Sequence, residues 1–245
     1  MIKLKYNPEF ISLLYELTQI NNSFVLIPIN DKITVTRNDE AGSMAFQLIA
    51  PLEYFNITNE IAIFKFRDFY NFYKSQKDCD IYFDSENNEI VFKTENSELP
   101  FPLNDSNFII NENIPSRFEV PLNDCDFVFT LNADNIHDLS SKISQIKPDI
   151  GTNSKLKCNI TYNNKTSEII IKAEAYKPSF KLYVNVDKIY NETYENKSYT
   201  ILPNIFQCLP KNQDFVISDI FEKVLIFKMI DPNISLNIVT WKIYE

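Results

Sequence analysis

Histidine and glycine are nearly absent from this chain of 245 residues, which holds one histidine, His137, and two glycines, Gly42 and Gly151. One imidazole excludes a multi-histidine metal site and forces any Ser-His-Asp or Cys-His triad through a single residue. Two isolated glycines exclude the Gly-rich loops that cradle phosphates, which need several residues without a Cβ where backbone meets phosphate. Most nucleotide-using enzymes are excluded with them. The four cysteines, Cys79, Cys125, Cys158 and Cys208, form no CxxC pair, so ordinary buried or half-buried thiols of a reducing compartment are expected. No run approaches the roughly 18 apolar residues of a membrane span. Glu9 and Glu16 interrupt the first apolar stretch, unlike the core of a signal peptide. The expected compartment is the cytoplasm, with no membrane partner, and the Asn-x-Ser/Thr triplets at Asn56, Asn159, Asn191 and Asn233 are expected to stay unmodified.

What is present describes a folded protein. Hydrophobic residues make up 44% of the chain and charged residues 23%, enough apolar surface for a buried core. Short runs rich in β-branched and aromatic residues, separated by Asn/Asp turns, read as strands: Phe24–Ile29, Lys32–Arg37, Met44–Ile49 and Glu60–Lys65 are examples. The same texture resumes from Asp80 to Thr94 and from Asp126 to Trp241. Four segments read as helices. Pro8–Ile20 follows Asn7 as N-cap and puts Phe10, Leu13, Leu14 and Leu17 on one face. Phe66–Gln76 sets Phe66, Phe69, Tyr70 and Tyr73 opposite Arg67, Asn71 and Lys74. Ala133–Lys147 buries Ile136, Leu139, Ile143 and Ile146 and stops at Pro148. Pro203–Leu209 is the shortest.

The order strand, helix, run of strands occurs four times, over residues 2–50, 60–103, 125–186 and 198–242. The repeats pair into two halves, a domain over 1–106 and a domain over 122–245, with 107–121 as an extended connector containing Pro115 and Pro121. The expected fold class is α+β: two tandem similar domains, each a duplicated unit with its helices on one face of antiparallel sheets.

Charge is distributed unevenly. The segments Lys5–Ile20, Lys65–Lys77, Asp134–Lys147 and Pro203–Gln213 carry −1, +3, 0 and +1, so the rest of the chain holds about −12 of the net −9. Helix faces that are mildly positive inside an acidic exterior suit a phosphate backbone. The plainer reading is that Lys74, Lys77, Lys142, Lys147 and Lys211 solvate exposed helices.

The opening Met1-Ile-Lys-Leu, the helix Phe10-Ile-Ser-Leu-Leu-Tyr-Glu-Leu-Thr-Gln-Ile-Asn-Asn-Ser and the strands Phe24-Val-Leu-Ile and Ile33-Thr-Val-Thr-Arg37 resemble a sliding clamp. This is the DNA polymerase processivity factor of the PCNA-like family, and the tailed-bacteriophage type is the most similar. The resemblance implies three subunits closed head to tail round double-stranded DNA, helices lining the hole, and as partners a DNA polymerase and an ATP-driven clamp loader. It implies neither catalysis nor a cofactor or metal. Arg67, Lys74, Lys77, Lys142, Lys147 and Lys211 are the expected DNA-facing residues, Arg67 competing with a structural role beside Asp68. A pocket for partner tails is expected from Phe108, Ile109, Ile110 and Ile114 on the connector with Trp241, Ile243 and Tyr244. The hairpin Asp80–Glu95 is expected to offer an edge for ring closure.

Two other readings compete. A monomeric viral processivity factor would grip DNA with an open basic face, which a chain of −9 suits poorly. A β-rich virion or accessory protein would only pack on a partner. Catalysis would have to come from His137 with Asp134 and Asp138, or from the pairs Asp78/Asp80 and Asp124/Asp126, which lack a nucleophile or ligand cluster beside them.

Overall fold

The computed structural model describes residues 1–75, 79–106, 118, 125–146, 156–163, 165–174, 179–189, 198–220 and 224–243. The first repeat is β1 (Ile2–Leu4), α1 (Pro8–Leu17), β2 (Phe24–Ile29), β3 (Lys32–Asn38) and β4 (Met44–Pro51). The second is β5 (Ile61–Ile63), α2 (Phe66–Ser75), β6 (Asp80–Asp84), β7 (Glu89–Lys93) and β8 (Glu98–Pro102). The third is β9 (Cys125–Leu131), α3 (Ala133–Gln145), β10 (Lys157–Asn163), β11 (Glu168–Glu174) and β12 (Ser179–Ile189). The fourth is β13 (Ser198–Ile201), α4 (Ile205–Cys208), β14 (Phe215–Ile220), β15 (Val224–Met229) and β16 (Ser235–Trp241). One helix and four antiparallel strands recur each time, and the fold class is α+β as read from the sequence. No helix among the described residues is long and apolar enough to cross a membrane.

The repeats are not self-contained. The first strand of each joins the run of strands of its neighbour: β1 pairs with β6 and β5 with β2, while β9 pairs with β14 and β13 with β10. A repeat alone would leave both its first strand and its sheet unfinished, so repeats fold in pairs. Two compact units result, Met1–Glu40 with Phe46–Ile114 and Pro232–Ser235, and Ala41–Ala45 with Pro115–Asp231 and Leu236–Glu245. The expected connector lies outside the described residues except for Phe118, which is buried.

Local chemistry fixes the helix starts. Asn7 has extended backbone, and its side-chain oxygen accepts from the N–H groups of Glu9 at 2.8 Å and Phe10 at 3.2 Å, with Pro8 following as the first helical residue. Asn132 does the same for Asn135 at 2.8 Å, and the Asp214 carboxylate accepts from Ala133 N–H at 2.8 Å. Each satisfies a donor that a helix start leaves over. Asn7→Ala is therefore expected to cost about 1 kcal/mol of stability, measured by urea unfolding against an exposed Asn→Ala control. With so few glycines, other residues take the left-handed turn positions: Asn30 (φ 56°) between β2 and β3, and Asn88 (φ 52°) between β6 and β7. Asparagine tolerates that conformation better than most side chains.

In the first unit α2 spans two sheets, β4–β3–β2–β5 and β1–β6–β7–β8. Phe66 lies 5.1 Å from Phe24 of β2 between ring centres, while Phe69 lies 6.0 Å from Phe92 of β7 and 5.4 Å from Phe101 of β8. Burying each such ring contributes about 1.5–3 kcal/mol. In the second unit α3 packs on β9 and β12, and Phe206 of α4 meets Phe227 of β15 at 6.0 Å.

One expectation about edges is corrected. The hairpin Asp80–Glu95 is interior, because β6 is flanked by β1 and β7 by β8. The edges of that sheet are β1 and β8, and both are blunted. Asn56 covers β1, its side chain accepting from Lys5 N–H and donating to the Lys3 carbonyl at 3.4 Å. On β8, Leu103 N–H turns inward to the Asn88 carbonyl at 2.9 Å, so by alternation residues 98, 100 and 102 face outward. Two of these are Pro100 and Pro102, which have no N–H to offer an added strand.

Candidate nucleic-acid interface

The first unit brings α1 and α2 side by side, and the two expected cations of α2 that are described behave differently. Arg67 is exposed yet tied down: its Nε–H donates to Thr18 Oγ1 at 2.9 Å and its outer N–H to the Thr18 carbonyl at 3.1 Å. Thr18 is the C-cap of α1, where unpaired carbonyls carry partial negative charge that a cation stabilises. The structural partner of Arg67 is thus the end of α1 rather than Asp68. Lys74 is exposed on the last turn of α2, its ammonium 5.2 Å from the centre of the Tyr70 ring. On α1, Glu9 is exposed and Glu16 half-buried, so this helix adds no positive charge.

In the second unit Lys142 is half-buried. Its ammonium pairs with Asp138 at 2.7 Å, one turn earlier on α3, and lies 4.2 Å from the centre of the Phe180 ring on β12. Lys211 is exposed after α4. Lys77 and Lys147 lie outside the described residues, as do Phe108, Ile109, Ile110, Ile114 and Tyr244. Trp241 is half-buried at the end of β16, its N–H bonded to the Ser43 carbonyl of the same unit at 3.2 Å. Ile243 bonds through its N–H to the Thr200 carbonyl at 2.7 Å and keeps 42% of its surface exposed.

Among the described residues, those weighed for catalysis do not form a constellation. His137 and Asp134 are exposed on α3, and Asp138 is occupied by Lys142. Asp80 pairs with Lys3 at 2.7 Å, which holds its carboxyl below the usual range. Asp78, Asp124 and the side chain of Asp126 lie outside the described residues. Among the described residues no group of His, Cys, Asp and Glu could hold a metal. Of the cysteines Cys125, Cys158 and Cys208 are buried and Cys79 half-buried, and none is in a disulfide. Burial pushes the Cys158 thiol up to about 12, so it stays protonated and unreactive at neutral pH.

Two features escaped the sequence reading. One is a chain of tyrosines over the seam between α1 and α2. Tyr15 stacks on Tyr70 with ring centres 4.1 Å apart and planes 16° apart, Tyr70 lies 6.3 Å from Tyr73, and Tyr73 meets Tyr6 edge-on at 5.3 Å. Tyr70 and Tyr73 were visible as helix-face residues, but their partners come from far away in sequence. The other is a buried ion pair between Lys242 and Asp219, with side chains 2% and 0% exposed.

No protein-family model matches the chain, and no curated protein matches its sequence. Its fold is that of PCNA-type sliding clamps, matched over essentially the whole length. Proliferating cellular nuclear antigen of Entamoeba histolytica superposes with TM-score 0.73 at 12% identity, covering 99% of this chain and 98% of that one. PCNA of A. fulgidus, solved with the C-terminal region of FEN-1 bound, gives 0.72 at 11% identity over 100% and 99%. The PCNA2–PCNA3 complex of Sulfolobus tokodaii gives 0.70 at 12% identity over 98% of each chain.

Proposed function

We propose that this chain is a DNA polymerase sliding clamp of the tailed-bacteriophage type. In this reading three copies close head to tail round duplex DNA and tether the replicative polymerase after an ATP-driven loader has placed them, in the cytoplasm of a bacterial host. Its domains are 1–106 and 122–245, joined by the connector 107–121. The protein binds and positions, and carries out no reaction of its own. The observation that carries the reading is the end-to-end match of its four strand–helix–strands repeats to PCNA chains.

Two further observations support it. The first concerns charge. A ring is retained by topology, so its inner face needs only weak attraction to phosphates, and tight ion pairs would hinder sliding. Lys74 and Lys211, exposed, are assigned to phosphate contact together with Lys77 and Lys147. Arg67 and Lys142, already bonded within the protein, add mainly to the local field. A protein that gripped DNA as a monomer would need more cations than this. The second concerns β12. It pairs with β11 over Ser179–Asn185 and with β9 only over Val186–Ile189. Val186 N–H turns toward β11, to the Ser167 carbonyl at 3.2 Å, so by alternation the N–H groups of Lys181, Tyr183 and Asn185 face the other flank. That flank over the first half of β12 is the place for a neighbouring subunit's strand. The partner pocket is assigned to Phe108, Ile109, Ile110 and Ile114 with Trp241, Ile243 and Tyr244, and among the described members Ile243 is exposed enough to meet an apolar tail.

The test is primer extension on singly primed circular DNA with the cognate polymerase and loader under single-encounter conditions. Adding the protein is expected to lengthen the products, and unchanged product length would refute the reading in favour of an accessory protein that packs on a partner.

A further inference from the structure

The Tyr15–Tyr70 stack lies on the solvent side of the α1–α2 seam, opposite the buried side that carries Phe10, Leu14, Phe66 and Phe69. Both tyrosines are half-buried, and among the described residues neither hydroxyl is hydrogen-bonded to a protein group. Tyr73 differs: it is packed against Tyr6, and burial, then the neighbouring tyrosines, push its hydroxyl up to about 12. On α2 Arg67 and Lys74 are exposed, as is Lys65 just before it, with Asp68 the exposed acid of the helix. The ammonium of Lys74 over the Tyr70 ring places positive charge directly beside the phenols. The patch therefore combines stacked O–H donors with positive charge on its α2 side, while α1 brings the carboxylates Glu9 and Glu16, and its α2 side fits a polyanion whose oxygens accept hydrogen bonds.

We propose that Tyr15 and Tyr70 are DNA-contact residues, donating their hydroxyls to phosphate oxygens of the duplex while Lys74 supplies charge beside them. This rests on the sliding-clamp reading and adds the contact chemistry to it. Stacking holds each ring in one orientation, so little side-chain freedom is lost on contact. A neutral donor releases no counterion, so its share of the affinity does not fall with salt as a lysine's does. Such contacts suit a surface that must pass from one phosphate to the next, because each bond is weak and every phosphate is equivalent.

The test is anisotropy of a fluorescein-labelled duplex titrated with the full chain across a salt series. The double variant Tyr15→Phe with Tyr70→Phe keeps both rings and the stack. It is expected to bind about tenfold more weakly at every salt concentration, with the slope of log K against log salt unchanged. Lys74→Ala is expected to flatten that slope by about 0.9. A double-Phe variant with wild-type affinity overturns the proposal, and so does a loss confined to low salt. If the double-Phe variant binds normally while the wild type still lengthens polymerase products, the tyrosine contact fails and the clamp reading stands. A wild type that neither binds duplex nor lengthens products overturns both.

Discussion

Lys242→Met is expected to lower the stability of the protein by about 3–5 kcal/mol, read from urea unfolding. The substituted residue fills similar space, so the loss comes from charge. Asp219 is fully buried on β14 and Lys242 follows β16 with 2% of its side chain exposed, and the two form an ion pair. Removing the ammonium leaves a carboxylate in a medium that solvates it poorly. The effect on the chain's end is also specific, because Ile243, the next residue, is fastened to Thr200 of β13. Replacing both partners, Lys242→Met with Asp219→Leu, is expected to recover most of the loss, since apolar pairs of similar volume often match a buried ion pair. A single variant within about 0.5 kcal/mol of wild type would show that the pair is not confined as described.

Tyr183→Pro is expected to abolish ring closure while leaving the subunit folded. Its N–H faces the flank of β12 that pairs with no strand among the described residues, so a proline there removes no bond to them, and edge positions of this kind tolerate proline. Tyr183 is also 57% exposed, which leaves little packing to lose. An incoming strand, by contrast, would lose a ladder bond and meet the ring of the proline. Sedimentation equilibrium is expected to give a species near 28.7 kDa for this variant, with product length on primed circles falling to that of polymerase alone. A variant that still assembles and still supports long products would remove β12 from the interface.

Much of the fold was legible because its signals are local. The Asn7-Pro8 and Asn132 starts, the apolar helix faces and the short strands gave four repeats whose bounds match within a few residues. The first helix was read slightly long for a physical reason. At the end of α1, Gln19 and Ile20 bond to the carbonyls of Glu16 and Leu17, three residues back. Ile20 is buried and keeps the apolar rhythm going, although the helix has already tightened. The edge assignment failed because strand neighbours are chosen across the unit: β6 is covered by β1 from the other repeat, and nothing between residues 80 and 95 encodes that.

The candidate site was less legible. Counting charge pointed to cations on α2 and α3 but could not show that Arg67 serves Thr18 or that Lys142 serves Asp138. A lysine at the end of an alternating strand reads as solvated, so the burial of Lys242 had no signature. Tyr15 and Tyr70 each look like ordinary helix-face residues, and only the packing of α1 on α2 turns them into a stack.

Encirclement itself is tested by topology. The protein is loaded onto nicked circular duplex by its cognate loader, freed of unbound copies by gel filtration in high salt, and the circle is then cut once. Co-elution with the intact circle and release on cutting is the expected result. Equal retention on circular and linear DNA, or loss from both, would contradict a ring held by closure.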